Sequence, residues 1–291
     1  QETEATEKPT AAAPKSYARI TSKAKIESYG GTVKVGDSAY ELYNYVDSSA
    51  RNYASVVNAV ANALKGKADV YDMVVPTSIG ITFPDNKSSK VNSSDQKKSI
   101  RSIYKKLNHP VKKVSLYDTL MSHRKEYIYF RTDHHWTSRG AYYAYRKFCD
   151  AKGITANELA GYPKEKAYFP IDNKKITMTY HDQNGGKYTS SVIANGKNYS
   201  MQLRYCAFLA GDNPYTVIHN KKIKDGSGCV VVKESYGNAF VPYLADHYEK
   251  IYVIDYRYWK GSVSKLARRN KVQHVIFINN ISMTRNAYLI G

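Results

Sequence analysis

Apolar residues recur along this chain in two rhythms: short alternating or continuous runs, and longer stretches with apolar positions three and four apart. The segment "KIESYGGTVKVGDSAYEL" alternates on both sides of Gly30-Gly31, which predicts a hairpin. "SSARNYASVVNAVANALKG" has helical spacing, with Ser48 or Ser49 as N-cap and Gly66 as its stop. The run "DVYDMVVPTS" reads as a strand ended by Pro76, and "SSDQKKSIRSIYKKLN" as a helix capped by Ser93 or Ser94. Two strands, "VKKVSLYD" and "YIYFRT", then precede the helix "TSRGAYYAYRKFCDAKG", which runs from a cap at Thr137 or Ser138 to a stop at Gly153. Periodicity is lost over residues 154–204, read as a β-rich insertion with turns at Gly185-Gly186 and Asn195-Gly196. The rhythm then returns as "GCVVVKES" strand, "YGNAFVPYLADHY" helix, "KIYVID" strand, "GSVSKLARRN" helix and "VQHVIFIN" strand. Strands separated by helices predict an α/β domain with a mainly parallel sheet.

Composition adjusts this picture at the ends and on the surface. Residues 1–16 are mostly Ala, Thr, Pro and Glu, a mixture that cannot bury a core and reads as a flexible tether to residues 17–291. The chain has no apolar run of about 18 residues to span a bilayer and no secretory signal. The tether fits a trimmed start, with a membrane anchor in an N-terminal segment absent from this chain. A net charge of +19 attracts anionic partners: nucleic acid, wall polymers, acidic polysaccharide or lipid headgroups. The lysines are dispersed in pairs such as Lys105-Lys106 and Lys221-Lys222, with no nucleic-acid reader motif, so no nucleic-acid partner is expected. Cys149, Cys206 and Cys229 lack metal-site spacing and leave room for one disulfide at most.

Functional groups of a parallel α/β sheet gather beyond the carboxyl ends of its strands. There this chain places Asp133 and His135, Glu234 and Ser235, Arg257 and Tyr258, and Asn279 and Asn280. In "VVVKESYGNAF", Ser235 falls on a strand-to-helix turn, where it serves either as a helix N-cap or as an exposed nucleophile at a helix N-terminus. A serine nucleophile needs an imidazole base whose second nitrogen is held by a carboxylate. In "YFRTDHHWTSRG", Asp133 and His135 are two apart, so an extended chain would put them on one side, with His134 turned away as a structural residue and Trp136 packed. The same stretch lacks HxxxH spacing or a completing cluster, so no metal and no cofactor are expected.

The motifs "RTDHHWT", "FLAGDNP", "KESYGNAFVPYLADHYEKIYVIDYRYW" and "VIFINN" in one order resemble the DHHW family of bacterial exported proteins. That family is similar to the alginate O-acetyltransferases of the SGNH hydrolase-like superfamily. The resemblance implies an SGNH-like mainly parallel sheet flanked by helices in permuted order, and a triad of Ser235, His135 and Asp133. It also implies an extracellular or cell-surface O-acetyltransferase that receives acetyl through a membrane-bound O-acyltransferase and passes it to a polysaccharide acceptor. Lys233-Glu234 replaces the usual Gly-Asp before the serine. Asn279 matches the superfamily's oxyanion asparagine by strand-end position, and Arg257 with Tyr258 occupies the second oxyanion block as donor or substrate contact. An acetylesterase with the same triad, or a non-catalytic glycan-binding scaffold for the membrane enzyme, is the alternative reading.

Overall fold

Runs of Val and Ile that are apolar on both faces form the middle of a sheet, because only a strand covered on both sides can bury every side chain. The computed structural model describes residues 16–161, 176–190, 205 and 208–290. Strands β1 (Ile26–Tyr29), β2 (Thr32–Val35) and β3 (Ser38–Glu41) make a small antiparallel sheet whose first turn is at Gly30-Gly31, with Gly30 at φ 65°. Then follow α1 (Asp47–Ala63), β4 (Asp69–Val75), α2 (Ser78–Ile81), α3 (Gln96–Lys106), β5 (Val111–Lys113), α4 (Tyr117–Ser122) and α5 (Ser138–Lys152). The chain continues through β6 (Ile176–His181), β7 (Lys187–Ser190), β8 (Tyr215–Asn220), β9 (Gly228–Lys233), α6 (Tyr236–Leu244), β10 (Lys250–Asp255), α7 (Val263–Arg269) and β11 (His274–Asn280).

The large sheet has the order β5-β4-β11-β9-β10-β8-β6-β7. Its first five strands are parallel and the last three antiparallel. Helices α4, α5 and α6 cover one face with Leu120, Phe148 and Phe240, while α1, α3 and α7 cover the other with Val57, Ile103 and Ala267. Each of these buried side chains larger than Ala267 contributes about 1.5–3 kcal/mol. Stacking helices on both faces leaves the carboxyl ends of β4, β9, β10 and β11 as the open rim.

Several local expectations need correction. Helix α1 begins at Asp47 after Val46, so neither Ser48 nor Ser49 caps it. Asp95 caps α3 through the Lys98 amide, because the Ser93 and Ser94 hydroxyls are occupied with the Tyr43 and Tyr45 amides. "VKKVSLYD" pairs for three residues only, and "YIYFRT" is no strand but a loop closed by one bridge, Tyr129 with Trp136. Thr137 caps α5 and Gly153 ends it at φ 77°. Strand β8 has no counterpart in the apolar pattern, because polar Thr216 and Asn220 fill two of its three buried positions and only Ile218 is apolar. The described part of residues 154–204 includes the hairpin β6–β7, which extends the edge of the large sheet through β8. The tether up to Lys15, the Asn195-Gly196 turn and Cys206 lie outside the described residues, and Cys149 and Cys229 are buried free thiols. No described helix is long and apolar enough to cross a membrane.

Candidate active site

Strand β9 delivers Lys233 to the rim and α6 starts three residues later, so Glu234 and Ser235 form the turn. Ser235 already has helical dihedrals and its side chain makes no cap. Its hydroxyl lies 2.7 Å from His135 Nε2, and His135 Nδ1 lies 2.6 Å from Asp133 Oδ1. The same Asp133 oxygen accepts the His135 backbone N–H at 2.8 Å. With Nδ1–H given to the carboxylate, Nε2 is left to accept from the hydroxyl. Burial pushes the Asp133 carboxyl up, but the His135 ring and amide bonds outweigh it and hold it below the usual carboxylate range. The loop is bent rather than extended, so Asp133 reaches His135 by turning back on it. His134 is therefore not turned away under the loop: it is exposed, with its ring centroid 3.9 Å from that of His135.

Two bonds through Tyr236 hold the histidine loop on the serine turn. The Trp136 indole N–H donates to the Tyr236 carbonyl at 2.9 Å, and the Tyr236 hydroxyl donates to the His134 carbonyl. The loop closes on itself where the Phe130 amide donates to the His135 carbonyl at 3.1 Å. Tyr205 then stacks flat on the imidazole, with centroids 3.8 Å apart. Packing leaves Ser235 7% and His135 8% exposed, so each ring and hydroxyl has few alternative rotamers.

Glu234 is buried beside the serine. Its Oε1 accepts the Asn280 amide at 2.9 Å, and its Oε2 accepts Ser235 Oγ at 3.2 Å, Asn280 Nδ2 at 3.2 Å and the Tyr236 amide at 3.3 Å. Burial raises its carboxyl while the two amides draw it down, with a raised net result. Sequence reasoning left both Glu234 and Asn280 without a role. Strand alternation is the signal that finds Asn280, since odd-numbered Val275 and Phe277 of β11 face α1 and so must Asn279.

Asn279 therefore does not join the site. It is fully buried on the α1 face, where Nδ2 donates to the Tyr53 hydroxyl at 3.2 Å. Arg257 is at the rim but held: Nε donates to Asp255 Oδ1 at 2.9 Å, and Nη2 to Asp255 Oδ2 at 2.6 Å and to Asp212 Oδ2 at 2.9 Å. Buried Lys233 completes this network at 2.8 Å from Asp255 Oδ2 and 3.6 Å from Asp212 Oδ1. Burial would raise Asp255, but Lys233 and Arg257 keep it below its ordinary value. Gly237 is required because a Cβ there would strike the Lys233 side chain. Tyr258 stands 40% exposed with the Arg257 guanidinium 5.2 Å from its ring centre.

Among the described residues one group, Asp133, His134 and His135, brings potential metal-ligating atoms within 4.8 Å of one another. Both ring nitrogens of His135 are already engaged, so an ion held there would have to break one of its two bonds. As built, the arrangement can take a proton from a hydroxyl and present its oxygen at a helix N-terminus.

Residues 7–167 and 164–254 match the DHHW protein family. The structure is similar to a DHHW family protein from Eubacterium siraeum DSM 15702, with 27% identity, a TM-score of 0.81 and coverage of 91% of this chain and 96% of that one. The fold is also similar to that of Bacillus cereus PatB1 with a sulfonyl adduct, at 17% identity, TM-score 0.73 and coverage of 88% and 95%. A second PatB1 structure gives 19% identity, TM-score 0.70 and coverage of 89% and 97%. No curated protein matches the chain.

Proposed function

Because this chain belongs to the DHHW family and lines up Asp133, His135 and Ser235 in one hydrogen-bonded row, we propose that it is an extracytoplasmic serine O-acetyltransferase. Its acceptor is a cell-wall-associated or secreted polysaccharide. The observation that carries this reading is the 2.7 Å contact between His135 Nε2 and Ser235 Oγ, made across a hundred residues of chain. His135 takes the serine proton as Oγ bonds to the acetyl carbonyl carbon, then returns it to the donor's leaving group. In the second half His135 takes the proton of a sugar hydroxyl as that oxygen attacks the acetyl-serine, then returns it to Ser235 Oγ as the Oγ–acyl bond breaks and the acetyl leaves on the sugar. General base action of this kind contributes about 10²–10⁴-fold.

The oxyanion falls to the Ser235 amide at the start of α6, with Asn279 removed from that role by its place on the other face. Tyr258, with Arg257 against its ring, offers a face for a sugar at the rim, and the net charge of +19 gathers an anionic polymer. In this reading the chain works outside the cytoplasmic membrane, tethered through its N-terminal side, and a membrane-bound O-acyltransferase supplies acetyl.

The test mixes the protein with 4-nitrophenyl acetate, with and without oligosaccharides, and follows the products by mass spectrometry. Acetylated sugar that disappears in Ser235→Ala is the expected result. Free acetate alone replaces transfer with hydrolysis, and turnover unaffected by Ser235→Ala overturns the reading.

A further inference from the structure

The Ser235 hydroxyl has two proton acceptors within reach, not one. His135 Nε2 is at 2.7 Å and Glu234 Oε2 at 3.2 Å. Around the Glu234 carboxylate, the Asn280 amide, the Asn280 side-chain nitrogen and the Tyr236 amide are all donors. The orientation of the Asn280 side chain is settled, because its Oδ1 accepts the Ser282 and Met283 amides. A carboxylate can accept all these bonds, whereas a carboxylic acid has only Ser235 Oγ to donate to. Ser235 is thus the one partner of Glu234 in this set whose proton can move along the bond. Lys233 does not neutralise Glu234, since its ammonium is spent on Asp255 and Asp212. The titratable groups that face Glu234 are His135, Arg257 and the phenols of Tyr205, Tyr236 and Tyr256.

We propose that Glu234 is a second base on the nucleophile, able to accept the Ser235 proton directly at Oε2. The proposal rests on the reading of Ser235 as an acyl-accepting serine. In the step, the Ser235 O–H proton passes to Glu234 Oε2 while Oγ forms its bond to the acyl carbon. When the tetrahedral adduct collapses, the carbon–oxygen bond to the donor breaks and the leaving oxygen takes the proton back from Glu234. No other reactant is needed. Burial strengthens the carboxylate as a base for this purpose.

The experiment measures acetylation of Ser235 by 4-nitrophenyl acetate, by intact mass and nitrophenolate burst, in His135→Ala, in His135→Ala/Glu234→Gln and in Ser235→Ala, from acidic to alkaline pH. His135→Ala should acetylate Ser235 at a rate at least about tenfold above the Ser235→Ala background, a small part of the usual general-base factor. That rate should rise with pH as Glu234 loses its proton, then level off, and adding Glu234→Gln should remove it. A His135→Ala rate equal to background, or one unchanged by Glu234→Gln, overturns the proposal. Gln would set an amide nitrogen against one of the donors, so Glu234→Asp is made in parallel. Asp keeps the charge but draws the oxygen back from Oγ, and a full rate in His135→Ala/Glu234→Asp also overturns the proposal. Wild-type protein that is never acetylated at Ser235 sinks the acyl-transfer reading itself, and the second base with it.

Discussion

Two polar clusters lie on opposite faces of the same sheet, and they are built from similar parts. One joins Asp133, His135, Ser235, Glu234 and Asn280; the other joins Asp72, Tyr53 and Asn279. Each has a carboxylate, a hydroxyl and an amide. In the second, Asp72 and Asn279 have no exposed surface, and Asp72 Oδ2 and Asn279 Oδ1 have no hydrogen-bond partner among the described residues. Burial drives the Asp72 carboxyl up to about 7, and burial with the Asp72 charge drives the Tyr53 phenol well above its ordinary value. That hydroxyl holds its proton and, among the described residues, has no nitrogen base as a hydrogen-bond partner. In the first cluster Asp133 is 44% exposed at its side chain, and an imidazole stands between carboxylate and hydroxyl. What separates the clusters is that the first has an imidazole against its hydroxyl and a carboxylate open to solvent, whereas the second is sealed; on the proposed reading that difference makes the first hydroxyl reactive.

The largest test of that contrast is Asp133→Asn, which removes the charge that orients and stabilises the imidazole. It should lower kcat for 4-nitrophenyl acetate on the order of 10³-fold with the thermal midpoint unchanged. That is less than the 10⁴-fold typical of a buried triad aspartate, because Asp133 is partly in water. In the sealed cluster the effect should move to stability. Below about pH 4 Asp72 is protonated whether folded or not; from there to about 7 only the folded chain holds that proton, so the contribution of Asp72 to stability falls as pH rises. Asp72→Asn removes this dependence, and urea titrations at pH 4 and pH 8 should differ between the two proteins by about 4 kcal/mol.

Tyr53→Phe strips the hydroxyl that satisfies both Asp72 Oδ1 and Asn279 Nδ2. It should cost about 1–3 kcal/mol of stability by urea unfolding while leaving Ser235 acetylation intact. The smallest expected change is the kcat of Asn279→Ala, within about threefold of wild type despite some loss of stability. A loss of a hundredfold there would erase the distinction between the faces.

Much of this was legible before any coordinates. Strands such as "CVVVK" and "VIFIN" carry β-branched residues at three of their five positions, and the turn between "VVVK" and "YGNAF" puts Ser235 at a helix start by length alone. Asp133 and His135 are readable as a pair because only two residues separate them, so the carboxylate can reach the ring without any distant segment. Less legible was the bend at Asp133, which arises from the bridge between Tyr129 and Trp136 and the bonds to Tyr236. Asn279 and Asn280 are adjacent in sequence, and only strand parity assigns one to the core and the other to the serine turn.

By itself the amino-acid sequence determined most of the succession of strands and helices, though not the loop at Tyr129 or strand β8, together with the tight turn at Ser235 and the local pairing of Asp133 with His135. Those depend on side-chain periodicity and on contacts a few residues apart. Tertiary structure alone decided that Ser235 meets His135, that Glu234 closes on the same hydroxyl, and that Asn279 lies on the far face. These are contacts between distant segments, fixed by strand register and by which helix covers which side of the sheet.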